Sequence, residues 1–160
     1  LTLLVAKLHG CKVCVVGIDK DKERLELAME LGADEIKIFD QSCKENWKIP
    51  EFDTALECSG HADAVDFCLK NLRPKGNYVQ VGTSSSKISI DFMATAYKEL
   101  NITGSIGATR EDWRNAINIL QKIQEKAVKI IGNEITIEEW KKGFDNFFLS
   151  TGKPKTIFKF

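Results

Sequence analysis

The 160-residue chain has no surplus of either charge, since 23 Lys and Arg stand against 23 Asp and Glu. That balance supplies no basic field for nucleic acid and none for an anionic membrane. Local clusters such as Lys141-Lys142 and Lys153/Lys155 read as solvated surface. No apolar run approaches the roughly 20 residues that cross a bilayer, so no membrane partner is expected. The opening Leu1-Thr2-Leu3-Leu4-Val5-Ala6 has neither the positive leader nor the small-residue cleavage site of a secretory signal. It also has no initial Met and starts in mid-pattern, so the true N-terminus is expected upstream. Histidine is scarce, His9 and His61 being the only two, too few to complete a zinc site around Cys11-Lys12-Val13-Cys14. Cys14 also lies in a predicted strand, where residues three apart point to opposite faces. No metal site is therefore expected in this chain. The five cysteines, Cys11, Cys14, Cys43, Cys58 and Cys68, are odd in number and widely spread, which reads as reduced thiols in a cytoplasmic protein.

What is present suits one globular core: 43% hydrophobic and 29% charged residues. The organising stretch runs from Val13 to Gly32. Val13, Cys14, Val15, Val16 and Ile18 form a short apolar run rich in β-branched residues, the pattern of a strand buried on both faces of a parallel sheet. From Asp21, a predicted N-cap with Arg24 in the first turn, the period changes to 3.6, with Leu25, Ala28 and Met29 on one face. Asp19 thus stands at the carboxyl end of a strand, where an open α/β sheet presents its ligand crevice. There a carboxylate can accept hydrogen bonds from two vicinal ribose hydroxyls and would repel a 2′-phosphate, which favours NAD over NADP. Aspartate is also common at any strand-to-helix turn, so Asp19 reads two ways.

In order, residues 1–8 read as a helix closed by His9-Gly10. After the central strand and helix, residues 35–39 read as a half-exposed strand and 40–52 as polar and irregular. Phe52 to Cys58 is a predicted strand ending at Ser59-Gly60, and residues 62–72 a helix stopped by Arg73-Pro74-Lys75-Gly76. Tyr78 to Gly82 follows as a strand. Next come a Ser-rich loop over 83–87, a short extended piece over 88–90 and a short helix over 92–99. Asn101 to Gly107 reads as a strand interrupted by glycines, which often marks backbone close to a ligand. Arg110 to Lys126 reads as a long helix with Trp113, Ile117, Leu120 and Ile123 inward. The tail changes character: extended over 130–135, helical over 137–149, extended over 156–160. Strands alternating with crossover helices of about ten residues argue for an α/β fold with a parallel sheet covered on both faces.

A doubly wound dinucleotide domain opens with a strand and a Gly-x-Gly-x-x-Gly turn about 20 residues before its acidic residue. Counting back from Asp19 reaches Leu1 or just before it, and no such fingerprint is present. The expectation is therefore a Rossmann-like doubly wound parallel sheet lacking its first strand. Residues 1–8 would be the end of the helix that the fingerprint introduces, and these 160 residues alone would aggregate or exchange their amides rapidly.

The chain resembles the cofactor-domain half of the zinc-dependent medium-chain alcohol and polyol dehydrogenases, the sorbitol dehydrogenase-like group above all. The resemblance rests on Val15-Val16-Gly17-Ile18-Asp19 with Arg24, Leu31-Gly32-Ala33-Asp34, Glu57-Cys58-Ser59-Gly60, Leu72-Arg73-Pro74-Lys75-Gly76, Val81-Gly82, Thr103-Gly104-Ser105 and Lys155-Thr156-Ile157. It implies that Asp19 binds the adenosine ribose of NAD and that Arg24 lies along the adenine end. Cys58 and Ser59 would line the cofactor cleft, and Val81, Gly82 and Thr83 would approach the nicotinamide. Ser105 and Ile106 would complete that wall through main-chain groups. Lys155 would contact the pyrophosphate, or be a solvated lysine near a chain end.

The resemblance further implies that residues 1–126 are the NAD-binding domain and 127–160 a returning segment of the GroES-like catalytic lobe. The zinc ligands would lie upstream of Leu1. Relatives transfer hydride between NAD and an alcohol or polyol and form homodimers or tetramers. Gly107 stands where polyol dehydrogenases often carry arginine. Two other readings stay open. One is a zinc-independent quinone or enoyl reductase, whose relatives carry a small or basic residue where Asp19 stands; the other is a non-catalytic NAD-binding module.

Overall fold

The computed structural model describes residues 1–40, 51–149 and 154–160. Two compact units emerge, Leu1–Lys44 with Arg110–Phe160, and Glu45–Thr109 between them.

The first unit begins with helix α1 (Thr2–Leu8), strand β1 (Cys14–Gly17), helix α2 (Lys22–Glu30) and strand β2 (Glu35–Ile38). β1 and β2 pair in parallel, Cys14 opposite Glu35 and Gly17 opposite Ile38. The long helix α5 (Arg110–Ala127) returns to this unit, and the chain closes with β6 (Ile131–Thr136), α6 (Trp140–Leu149) and β7 (Lys155–Lys159), a second parallel pair joined through a helix. Leu4 of α1, Leu27 and Leu31 at the end of α2, and Ile123, Ala127 and Ile130 at the end of α5 form one buried cluster. Burying each large aliphatic side chain there contributes about 1.5–3 kcal/mol. Asp34 ties α1 to the start of β1: its carboxylate accepts from Lys7 Nζ at 2.7 Å and from the Val13 amide at 2.6 Å, while its own amide donates to the Val13 carbonyl at 2.9 Å.

In the second unit, strands β3 (Phe52–Glu57), β4 (Leu72–Gln80) and β5 (Asn101–Gly104) form a parallel sheet in the order β3-β4-β5, with helices α3 (Ala62–Asn71) and α4 (Phe92–Tyr97) in the connections. Val65 and Leu69 of α3 pack on Leu72 and Tyr78 of β4. The helix ends are closed by side chains, as helix termini require. The His61 ring accepts from the Asp63 amide, and Asp91 accepts from the Ala94 amide. Lys98 Nζ donates to the carbonyls of Leu69, Lys70 and Leu72, capping the carboxyl end of α3.

Every pair of strands is parallel. Parallel strands joined through helices are the elements of a doubly wound sheet, and a strand leading into a Gly-x-Gly-x-x-Gly turn is not among the described residues.

Several local expectations are corrected. β1 is half-buried along its whole length instead of buried on both faces, with β2 its one ladder partner among the described residues. Arg73-Pro74-Lys75-Gly76 does not separate helix from strand. β4 starts at Leu72, which pairs with Phe52, and a shift in register before Asn77 absorbs the four residues, with Lys75 left-handed at φ 62°. The fifth strand ends at Gly104, short of Gly107, and residues 88–90 join no ladder. On α5 the buried row is Ile123 and Ala127 with Ile119 against it, whereas Trp113, Ile117 and Leu120 are 66%, 56% and 49% exposed. The last turns of α5 pack into the cluster with α1 and α2, whereas its earlier apolar side chains stay about half exposed or more. Of the irregular stretch 40–52, residues 41–50, Cys43 included, lie outside the described residues.

Candidate functional site

The first unit places Asp19 immediately beyond β1. Ile18 is extended, and the chain then tightens into a 3-10 turn, Asp19–Asp21, that leads into α2. The turn is held by Asp21, whose Oδ2 accepts from the Ile18 amide at 3.2 Å and whose Oδ1 lies 3.8 Å from Arg24 Nη1. Asp21 thus reaches back to the strand instead of capping α2 from its side chain. Asp19 is exposed at the carboxyl end of the strand and Arg24 half-buried beside the turn.

In the second unit the carboxyl ends of β3, β4 and β5 lie side by side. Glu57 pairs with Gln80, and Gln80 with Gly104. The Val81 and Gly82 amides both donate to the Glu57 carbonyl at 2.8 Å, and the Ser105 amide donates to the Gln80 carbonyl at 2.9 Å. These bonds gather Cys58, Ser59, Val81, Gly82, Thr83 and Ser105 at one end of the sheet. Ile106 continues from them, 89% exposed.

Beneath this edge lies a group that the sequence pattern did not single out. Glu57 is 2% exposed, yet its carboxylate is fully engaged. Oε1 accepts from the Ser59 amide at 2.7 Å and the Ser59 hydroxyl at 2.6 Å; Oε2 accepts from the Gly60 amide at 2.8 Å and Gln80 Nε2 at 2.6 Å. Gln80 Nε2 also donates to the Gly82 carbonyl at 2.8 Å, and Gln80 Oε1 accepts from the Tyr78 hydroxyl. Burial alone would push the Glu57 carboxyl up, but the Ser59 hydroxyl, the Gly60 and Ser59 amides and Gln80 outweigh it and hold the group below the usual carboxylate range. Burial, reinforced by Glu57 and Cys58, pushes the neighbouring Cys68 thiol up to about 12. A Glu-x-Ser-Gly sequence at a strand end was the available signal: short donors that can fold back on the acid.

Lys155 belongs to the other unit. It opens β7 in the first unit, exposed, and lines a groove of about 460 Å³ with Ile117, Leu120, Ile131 and Ile157. Among the described residues no three His, Cys, Asp or Glu side chains come together as a metal site, and no helix is long and apolar enough to cross a membrane. The described residues do not fit a zinc ion.

The model of the zinc-binding dehydrogenase family matches residues 1–122. The chain belongs to that family. It is 33% identical over 151 residues to a sorbitol dehydrogenase of Halalkalibacterium halodurans, covering 90% of this chain and 44% of the relative. The zinc-binding dehydrogenase chain thus spans about half the length of the curated relatives it matches. Its fold is that of an Escherichia coli alcohol dehydrogenase solved with NADH (TM-score 0.80, 21% identity, 99% of this chain and 48% of the other). It is equally that of Staphylococcus aureus TarJ solved with NADPH (TM-score 0.81, 22% identity, 98% and 50%).

Proposed function

We propose that the whole protein transfers hydride between NAD and the carbinol carbon of an alcohol or polyol, and that these residues supply its grip on the cofactor. Residues 1–126 are assigned to the NAD-binding domain and 127–160 to the returning segment of the catalytic lobe. The zinc that gives the family its description is assigned to residues outside those described. The observation that carries the reading is Asp19: an exposed carboxylate just past a parallel strand, whose turn is already held by Asp21. A carboxylate not needed for its own turn is available to a ligand diol.

NAD, when bound, supplies the acceptor or donor of the hydride. Asp19 accepts from both hydroxyls of the adenosine ribose, each charge-assisted bond contributing about 1.5–3 kcal/mol, and Arg24 lies along the adenine. Cys58 and Ser59 line the cofactor's path, while Val81, Gly82 and Thr83 approach the nicotinamide. Ser105 and Ile106 complete that wall through main-chain groups. Lys155 is assigned to the pyrophosphate by resemblance to the family. Fold relatives hold NADH or NADPH, so the fold leaves the choice open, and the Asp19 charge decides it by repelling a 2′-phosphate. Among the described residues Cys11, Cys14, Cys58 and Cys68 form no disulfide, which supports a reducing, cytoplasmic setting, and the family resemblance supports a homodimer or tetramer.

Calorimetric titration of the full-length protein with NAD and with NADP tests the reading. Tighter binding of NAD is expected; equal or reversed affinities overturn it.

A further inference from the structure

The sheet edge formed by β3, β4 and β5 owes its shape to one buried acid. Glu57 sits at the last position of β3, and its two oxygens accept four hydrogen bonds, all between 2.6 and 2.8 Å. Two donors are the successive amides of Ser59 and Gly60, which lead into α3. A third is the Ser59 hydroxyl, which in turn accepts from the His61 amide at 3.1 Å. The fourth is Gln80, whose amide nitrogen also holds the Gly82 carbonyl. One carboxylate and one amide therefore fasten both the turn after β3 and the turn after β4.

The two turns leave no slack for any other arrangement. Gly60 is left-handed at φ +72°, and a side chain on it would run into the Thr83 carbonyl. One on Gly82 would run into the Gly60 nitrogen. A glutamate spends its burial cost only where its acceptors are fully used. Here all that capacity goes to main-chain and side-chain donors of the two turns, and none of it reaches into solvent.

Resting on the NAD reading above, we propose that Glu57 is the positioning residue of the nicotinamide end, its carboxylate fixing the Ser59-Gly60 turn and, through Gln80, the Val81-Gly82-Thr83 turn against which the cofactor ring packs. Glu57 touches no ligand itself. It acts through the conformation of the residues that do.

The consequence differs from that of an ordinary core residue. In Glu57→Gln, one oxygen becomes an NH2 group facing either the Ser59 donors or the Gly60 and Gln80 donors. The turn must then open to separate them. In the exchanged pair Glu57→Gln with Gln80→Glu, the contact between positions 57 and 80 again joins an amide to a carboxylate, but the Gly60 amide now faces an NH2 group and the Gly82 carbonyl loses its donor.

The test is NADH binding by fluorescence titration, with kcat and KM for NAD, on the full-length parent, Glu57→Gln and the exchanged pair, each first checked for a cooperative thermal transition. The expectation is that Glu57→Gln weakens NADH roughly tenfold, raising KM for NAD more than it lowers kcat. The exchanged pair should recover thermal stability without recovering the affinity. A purely structural role predicts that affinity and stability recover together, and that result overturns the proposal, as does a folded Glu57→Gln with parental affinity. If Glu57→Gln does not fold, the exchanged pair and Ser59→Ala, which removes a single donor, decide by the same comparison: parental affinity in both overturns the proposal. Failure of the parent to bind NADH at all would instead overturn the NAD reading.

Discussion

Gly60 and Gly82 meet backbone to backbone at the carboxyl ends of β3 and β4, so closely that a Cβ on Gly82 would overlap the Gly60 nitrogen and the carbonyl carbons of Cys58 and Ser59. Neither neighbour is a flexible side chain that could swing away. Gly82→Ala should therefore destabilise the folded protein by about 1–3 kcal/mol, the usual cost of overpacking, read as a lower urea midpoint at unchanged slope. A midpoint equal to that of the parent would show that the two turns are not in contact.

The Glu57 carboxyl is held below its ordinary 4.5 in the folded chain, so the folded state binds its proton less readily than the unfolded state. Its contribution to stability is complete above that ordinary value and disappears as the pH falls through the lower folded value. Glu57→Gln should accordingly cost about 1–3 kcal/mol near neutrality, the cost of buried donors losing their acceptor, and the gap to the parent should close on acidification. Chemical denaturation of both proteins between neutral pH and the acid limit measures it. A gap that widens with acid has the wrong sign for this account.

Asp34 and Val13 exchange hydrogen bonds in both directions, and the Lys7 ammonium, then the Val13 amide, hold the Asp34 carboxyl below its usual range. Asp34→Ala should speed hydrogen exchange at the Val13 amide and leave the amides of β3 and β4 unchanged. Mass-spectrometric or NMR exchange rates that stay parental at Val13 would contradict it.

How much of this was legible in the residues depends on the range of the forces involved. The alternation of strands and helices shows through because apolar periodicity is local, and Val13 to Gly32 displays both periods within 20 residues. Asp19 could be placed at a strand end for the same reason. The buried face of α5 could not be read, since Trp113, Ile117, Leu120 and Ile123 all fit one helical stripe and only packing against Leu4 and Leu31 selects Ile119, Ile123 and Ala127. Glu57 was equally hidden. A glutamate ending a strand reads as solvated until donors from Ser59, Gly60 and the distant Gln80 are seen to converge on it. The early start of β4 at Leu72 likewise depends on a register that only the partner strand supplies.

Among the thiols, burial separates two neighbours. Cys58 is exposed, whereas Cys68 is half-buried with its thiol pushed up to about 12, and the thiolate is the reactive form. Iodoacetamide at mildly alkaline pH should modify Cys58 well before Cys68, and NAD should slow the reaction at Cys58 alone. Peptide mass spectrometry follows both sites. Faster labelling of Cys68, or protection of both residues equally, would oppose the assignment of Cys58 to the cofactor's path.

The central claim is that Asp19 chooses the cofactor. Titration calorimetry of the full-length protein and its Asp19→Ala variant, each with NAD and with NADP, measures this directly. The account predicts a loss of roughly 100-fold or more in NAD affinity, from two charge-assisted hydrogen bonds, with NADP affinity unchanged or improved as the repulsion disappears. Equal losses for the two nucleotides would contradict it.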